Sequence, residues 1–326
     1  MRFVIYGAGA IGGVVGGRLF EAGCDVTLIA RGDHLRALQR DGLTLASPDG
    51  TVTLPVPAVG HPAEAELAEG DVVILAMKGQ HTASAVAELA LAAPHRGVRV
   101  VCAQNGVENE RVALRAFADV YAMSVMLPAS HLEPGVVEAN SCPITGLLDL
   151  GRYPAGVDDT AVAVAAALSG ATFSSEVRAD IMRWKYRKLV LNLANAVEAV
   201  CGPSSREGPL TGRILAEGEA VLQAAGVDVA SVDEDMARRG DLLRMRRVDG
   251  RRREGGSSWQ SLARGLGNIE ADYLNGEIAL LARLHGAAAP ANELLQRLAT
   301  RLADEGRPPG WLTADEVLAQ LDSAGS

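Results

Sequence analysis

Apolar positions in the first half of the chain fall in short β-branched runs, separated by stretches with helical spacing. Phe3-Val4-Ile5-Tyr6 predicts a strand, residues 10–22 a helix, and Asp25 to Ala30 a second strand. Leu43 to Leu54 predicts a hairpin around Asp49-Gly50, a pair that favours a tight turn. Asp71 to Met77 and Val98 to Ala103 are apolar runs of the buried-strand type, followed by helices near 80–93 and from about 108. Strand and helix in alternation predict a doubly wound parallel sheet. Beyond about residue 155 strand-like material fades. Helical patterns follow at 158–169, 180–200, 210–225, 232–247 and 259–286, with a further pair near 290–305 and 313–322. The expected fold class is an α/β, Rossmann-like domain over 1–170 and an all-α domain over 171–326, the change of character falling between 155 and 178.

At 326 residues the chain has room for two domains, and 48% hydrophobic with 22% charged residues is an ordinary globular composition that excludes disorder. A net charge of −9 argues against general affinity for nucleic acid or anionic membrane. The stretch Arg238 to Arg253 holds eight arginines, but acidic residues break it and no aromatics interleave. It reads as a solvated helix face leading into a loop. Cys24, Cys102, Cys142 and Cys201 lie far apart and read as reduced thiols of a cytoplasmic protein. The histidines show no metal spacing, so no metal is expected, although His81 lies near enough to Lys78 to border a cofactor. The N-terminus superficially imitates a signal peptide, yet its glycines fall where a nucleotide fold wants them. No run approaches the roughly 18 apolar residues of a membrane span.

Those glycines are Gly7-Ala8-Gly9-Ala10-Ile11-Gly12, a G-x-G-x-x-G placed after a strand and opening a helix. Gly7 permits the tight turn, Gly9 lets backbone amides approach a pyrophosphate, and Gly12 allows close helix packing. The helix N-terminus adds a dipole that favours the anion. NAD-binding folds carry an acidic residue at the end of the second strand, where this chain has Arg31. A guanidinium there suits a 2′-phosphate, which favours NADPH; the alternative is a solvated Arg31 with Asp33 in the acidic role. Lys78 and Gln104-Asn105-Gly106 follow two further strands, at the carboxyl ends where open α/β sheets bind ligands.

Lysine is scarce: Lys78, Lys185 and Lys188 stand against 28 arginines. Two of the three lie in the helix-like segment from Trp184, apolar almost all round and hence expected to be buried. Lys188, Asn192 and Asn195 fall at i, i+4 and i+7 and form one polar stripe. Burying an amine and two amides is costly unless something polar faces them, and a substrate would supply that partner.

With these elements in this order the chain resembles the ketopantoate reductase family over nearly its whole length. The matched residues are the glycine fingerprint, Arg31, Lys78, Asn105-Gly106, Lys188 with Asn192, and the stretch from Ser257-Ser258 to Glu270. The resemblance implies NADPH-dependent reduction of 2-dehydropantoate to (R)-pantoate, a step toward pantothenate and coenzyme A. It implies Lys188 as general acid and Glu270 as the residue holding substrate or lysine in register. Asn105, Asn192 and Asn195 would then bond substrate hydroxyl or carbonyl groups and Ser258 its carboxylate, although Ser258 also suits a helix N-cap. Three positions depart from the family pattern: Ala196 and Gly255 stand where asparagines are common, and Leu262 where an aspartate is. They surround the substrate rather than the cofactor.

The expected partner is therefore a small 2-oxo acid, with neither nucleic acid nor membrane, and a homodimer is left open. Rival readings are a reductase of another branched 2-oxo acid, a β-hydroxyacid dehydrogenase and a non-catalytic NADP-binding sensor. Arg31 with Ser258 and Glu270 argues against the second, and the buried lysine stripe against the third.

Overall fold

A computed structural model describes residues 1–93, 97–131, 133–251, 255–265 and 269–324. The N-terminal half opens with β1 (Arg2–Tyr6), α1 (Ala10–Glu21), β2 (Asp25–Ile29) and α2 (Gly32–Asp41), close to the expected elements. The hairpin is β3 (Leu43–Ser47) and β4 (Gly50–Leu54), followed by β5 (Ala58–Val59). Then come β6 (Val72–Leu75), α3 (Thr82–Ala92), β7 (Arg99–Cys102) and the short α4 (Asn109–Leu114).

Strand structure then continues beyond the expected elements: β8 (Val120–Met126), β9 (Ala129–Ser130), β10 (Val136–Ala139), β11 (Ser141–Pro143) and β12 (Leu147–Arg152). The helical half comprises α5 (Asp159–Gly170), α6 (Ile181–Cys201), α7 (Pro209–Ala224) and α8 (Val232–Arg239). After a short β13 (Leu243–Met245) follow α9 (Ser257–Ala263), α10 (Asn275–His285), α11 (Pro290–Asp304) and α12 (Ala314–Ala324).

The main sheet has seven strands in the order β12-β8-β7-β6-β1-β2-β5. Its pairs are parallel except β8 with β12. The order reverses at β1, so the chain leaves β1, β6 and β7 side by side at the carboxyl edge. That edge is where such sheets hold ligands. One face of the sheet packs Phe3, Ile5, Val101 and Leu148 against α1, α5 and the small sheet β4-β3-β10-β9. The other face packs Val4, Tyr6, Leu75 and Val100 against α3 and α4. Both faces are covered, which explains why the inner strands read as continuous apolar runs.

Contacts divide the chain into two units, Met1–Lys185 with Val232–Arg253, and Tyr186–Ser231 with Glu254–Ser326. In the second unit α10 packs on α7 and α11, and α12 on α7. Asn275 and Asn292, both fully buried, stitch it together. Asn275 donates to the Leu193 carbonyl and Asn292 Oδ1, and Asn292 to the Ile214 carbonyl and Glu217. Glu217 also accepts from the amides of Ala291 and Asn292, capping α11 with a carboxylate as its dipole favours.

The helix expected over 232–247 stops at Arg239 because Gly240 turns to φ +43°, and β13 then pairs with β11. The arginine-rich stretch is therefore not simply a solvated face. The Arg238 side chain is 7% exposed and chelates Asp149 on β12, with bonds of 2.8 and 2.6 Å. Arg251 pairs with Glu138 on β10, while Arg252 and Arg253 lie outside the described residues. The helix expected over 259–286 is likewise interrupted. Gly265, at φ +64°, closes α9, a 3-10 turn spans Ala271–Tyr273, and residues 266–268 are not described.

Candidate active site

In the first unit the chain turns sharply out of β1. Gly7 takes φ +102°, and a Cβ there would come within 2.9 Å of the Met77 backbone. The amides of Gly7 and Ala8 both donate to the Ile29 carbonyl at 3.1 Å, which ties the loop to β2. A Cβ on Gly12 would lie 2.2 Å from the Gly7 carbonyl oxygen, so only glycine lets α1 start this close to the strand. Gly9 differs: among the described residues nothing stands within 4 Å of where its Cβ would be. It caps α1 without a side-chain bond, and the amides of Ala10 and Ile11 open the helix behind it. An unfilled space before free helix-start amides fits a dinucleotide pyrophosphate.

His34, to which the sequence assigned nothing, holds this loop from behind. Its Nδ1 accepts from the Gly135 amide at 2.9 Å, so the proton sits on Nε2, which donates to the Ala8 carbonyl at 2.7 Å. The His131 ring packs 4.2 Å away. Burial, then the neighbouring imidazole, pushes the His34 pKa below its ordinary value.

Arg31 stands at the end of β2, two-thirds exposed, with Nη2 2.9 Å from Glu88 and 3.3 Å from the Tyr6 hydroxyl. Asp33 opens α2 and pairs with Arg36. Lys78 leaves β6 half-buried and precedes the 3-10 turn Gly79–His81. Asn105 leaves β7, with Gly106 beside it at φ +80°. Gln104 joins these two loops: its amide donates to the Met77 carbonyl at 3.0 Å and to Thr82 Oγ1 at 2.8 Å. Thr82 in turn donates to Asn109, whose amide bonds the Asn105 carbonyl.

Beneath Gln104 lies Lys185, the one lysine left without a role by the sequence. It is 3% exposed, donates to the Gln104 carbonyl at 3.0 Å and pairs with the fully buried Glu110. Burial pushes the Glu110 carboxyl up, and Lys185 draws it only part of the way back. Cys102 beneath them is pushed well up by burial and by Glu110.

In the second unit α6 carries Lys188, half-buried, with Asn192 and Asn195 at 4% and 5% exposure. Asn195 Oδ1 accepts from Arg206 at 3.1 Å, and Arg206 also pairs with the buried Glu198 at 2.8 Å. Glu198 receives the Gly256 amide at 2.9 Å, which anchors the start of α9 to α6. Gly256 is the N-cap of α9, so Ser258 lies inside the helix, buried, and is not the cap the sequence allowed. Glu270, 8% exposed, precedes the 3-10 turn Ala271–Tyr273.

Of the three positions noted above, Gly255 has a local cause. Gly255 has φ +59°, and a Cβ there would come within 2.6 Å of the Trp259 indole. Ala196 and Leu262 are buried at 2% and 5%. Arg206, Glu198 and Trp259 are not singled out by sequence: Arg206 meets Asn195 and Glu198 only where the chain folds back after α6, and Glu198 meets the Gly256 amide 58 positions away.

Comparison with known proteins bears on both units. Residues 3–154 match the family described as ketopantoate reductase PanE/ApbA, and residues 180–303 its C-terminal region. The 2-dehydropantoate 2-reductase of Halobacterium salinarum is 32% identical over 317 residues, covering 93% of this chain and 99% of that protein. The enzyme of the same name from Pyrococcus horikoshii is 28% identical, over 91% and 96%. Among solved structures, a PanE/ApbA family ketopantoate reductase from Ralstonia eutropha superposes with a TM-score of 0.79 at 28% identity, covering 94% of this chain and 99% of that one. D-mandelate dehydrogenase, solved with NADH and anilino(oxo)acetate, shares the fold at TM-score 0.80 and 22% identity, with the same coverage. This chain, an oxidoreductase with a Rossmann-like and a helical part, belongs to the ketopantoate reductase family.

Proposed function

We propose that the protein reduces 2-dehydropantoate to (R)-pantoate with NADPH, a step toward pantothenate and coenzyme A. The observation that carries this reading is end-to-end kinship with a 2-dehydropantoate 2-reductase, spanning both the glycine loop and the Lys188 helix. The glycine loop, Arg31, Lys78 and Asn105 would hold the cofactor. NADPH supplies the hydride that reaches the carbonyl carbon.

The rest is the work of side chains. Lys188 serves as general acid: its ammonium stabilises charge developing on the carbonyl oxygen and then yields a proton to it. Asn105 and Asn192 bond substrate oxygens, and Ser258 holds the carboxylate. Asn195 offers its amide nitrogen, because its oxygen already accepts from Arg206. Glu270 keeps substrate or lysine in register. Four free thiols suit a reducing cytoplasm.

A second reading keeps the chemistry and changes the acid. The Trp259 ring against Gly255, with buried Ala196 and Leu262, places apolar groups where the family commonly has polar ones. That favours a 2-oxo acid with a less polar tail. Following cofactor oxidation with 2-dehydropantoate beside such acids separates the two. The first reading requires the highest kcat/KM with 2-dehydropantoate, and a clear preference for an apolar 2-oxo acid would replace it with the second.

A further inference from the structure

The ion pair at the end of β2 has a composition that a site for NADPH alone does not need. Glu88, on α3, sets Oε2 2.9 Å from Arg31 Nη2. The same oxygen accepts the Tyr6 hydroxyl and lies 3.9 Å from His61 Nε2. Tyr6 is a committed donor, since burial and the bond to Glu88 push its phenol up to about 12. Among the described residues no donor reaches Glu88 Oε1. The carboxylate is one-third exposed and the guanidinium two-thirds, so both face solvent at the strand end where the adenosine ribose of a dinucleotide is read. Arginine there invites a phosphate; a carboxylate beside it invites a hydroxyl.

We propose that Glu88 is a specificity-determining residue for the cofactor. Its free oxygen accepts from the 2′-hydroxyl of NADH, and its charge opposes the 2′-phosphate that Arg31 attracts, narrowing the preference for NADPH. The inference rests on the pyridine-nucleotide reading of the first unit. Its physics is simple. A phosphate bonded to Arg31 beside Glu88 brings nearly two negative charges within about 5 Å of a third, a repulsion on the order of tenfold in affinity even in a water-like dielectric. A ribose hydroxyl meets no such repulsion. Because the pair is exposed, the effect shrinks as salt rises.

Glu88→Gln keeps the size and the Tyr6 contact and removes the charge. Dissociation constants for NADPH and NADH, and for 2′,5′-ADP against 5′-ADP, are measured by titration calorimetry on wild type and variant at low and high salt. The expected result is NADPH and 2′,5′-ADP tightened about tenfold, NADH and 5′-ADP weakened or unchanged, and the difference reduced at high salt. Ratios unchanged within about twofold, or NADPH weakened as though Glu88 merely steered Arg31, would overturn the proposal while leaving the cofactor reading intact. Wild-type protein that binds none of the four would overturn the cofactor reading itself.

Discussion

Lys185 and Lys188 lie three residues apart on one helix and face different chemistry. Lys185 is sealed from water against Glu110 and the Gln104 carbonyl, where an unpaired charge has no solvent to turn to. Lys185→Met should cost about 3–5 kcal/mol in urea unfolding, because it strands a buried carboxylate, and the double variant with Glu110→Met should recover much of that loss. A single variant as stable as wild type would show the pair to be idle. Sequence flags all three lysines by their rarity and gives Lys188 a role through its stripe with Asn192 and Asn195, but it does not show what Lys185 meets. The distinction lies in Glu110, 75 positions away in the chain. The glycine loop is legible because its motif stands next to a strand and its demands are partly internal, Gly7 at φ +102° and Gly12 against the Gly7 carbonyl. His34 is not, since its partners Ala8 and Gly135 reach it only in the fold.

At the level of elements, strands with four or more apolar residues in a row declared themselves, whereas β9 to β11 are too short to show a period. β8, Val120–Met126, is the exception: it carries such a run, yet the strand-helix alternation does not announce it. Its partner β12 pairs antiparallel, a pairing outside the strand-helix alternation. The end of α8 is not legible because arginine favours helix and surface alike, and nothing local announces that Arg238 turns inward to Asp149. Burial alone would raise the Asp149 carboxyl; bonds from Arg238 and Arg178 outweigh it and hold it below the usual range. Arg238→Ala should therefore destabilise by several kcal/mol, about 3–5, whereas the exposed Arg247→Ala should change stability by no more than about 0.5. Equal effects in thermal melts would mean that the contact does not anchor α8.

For the whole molecule, the two units carry different parts of the expected chemistry: glycine loop, Arg31, Lys78 and Asn105 in the first, Lys188, Asn192, Asn195, Ser258 and Glu270 in the second. The first unit also sets a pH dependence. Because folding depresses the His34 pKa, its neutral form contributes stability that is complete above the unfolded value of 6.5 and is lost as pH falls below it. The drop in Tm from pH 7.5 to 5.5 should be larger in wild type than in His34→Gln; an equal drop would assign the dependence elsewhere. The central claim is catalytic, and one measurement tests it most directly: NADPH oxidation dependent on 2-dehydropantoate, by wild type and by Lys188→Ala. The account predicts turnover by wild type and a loss of about 10²–10⁴-fold in kcat in the variant, with NADPH still bound at wild-type affinity. Wild-type protein that binds NADPH without turning over, or a Lys188→Ala variant as fast as wild type, would contradict it.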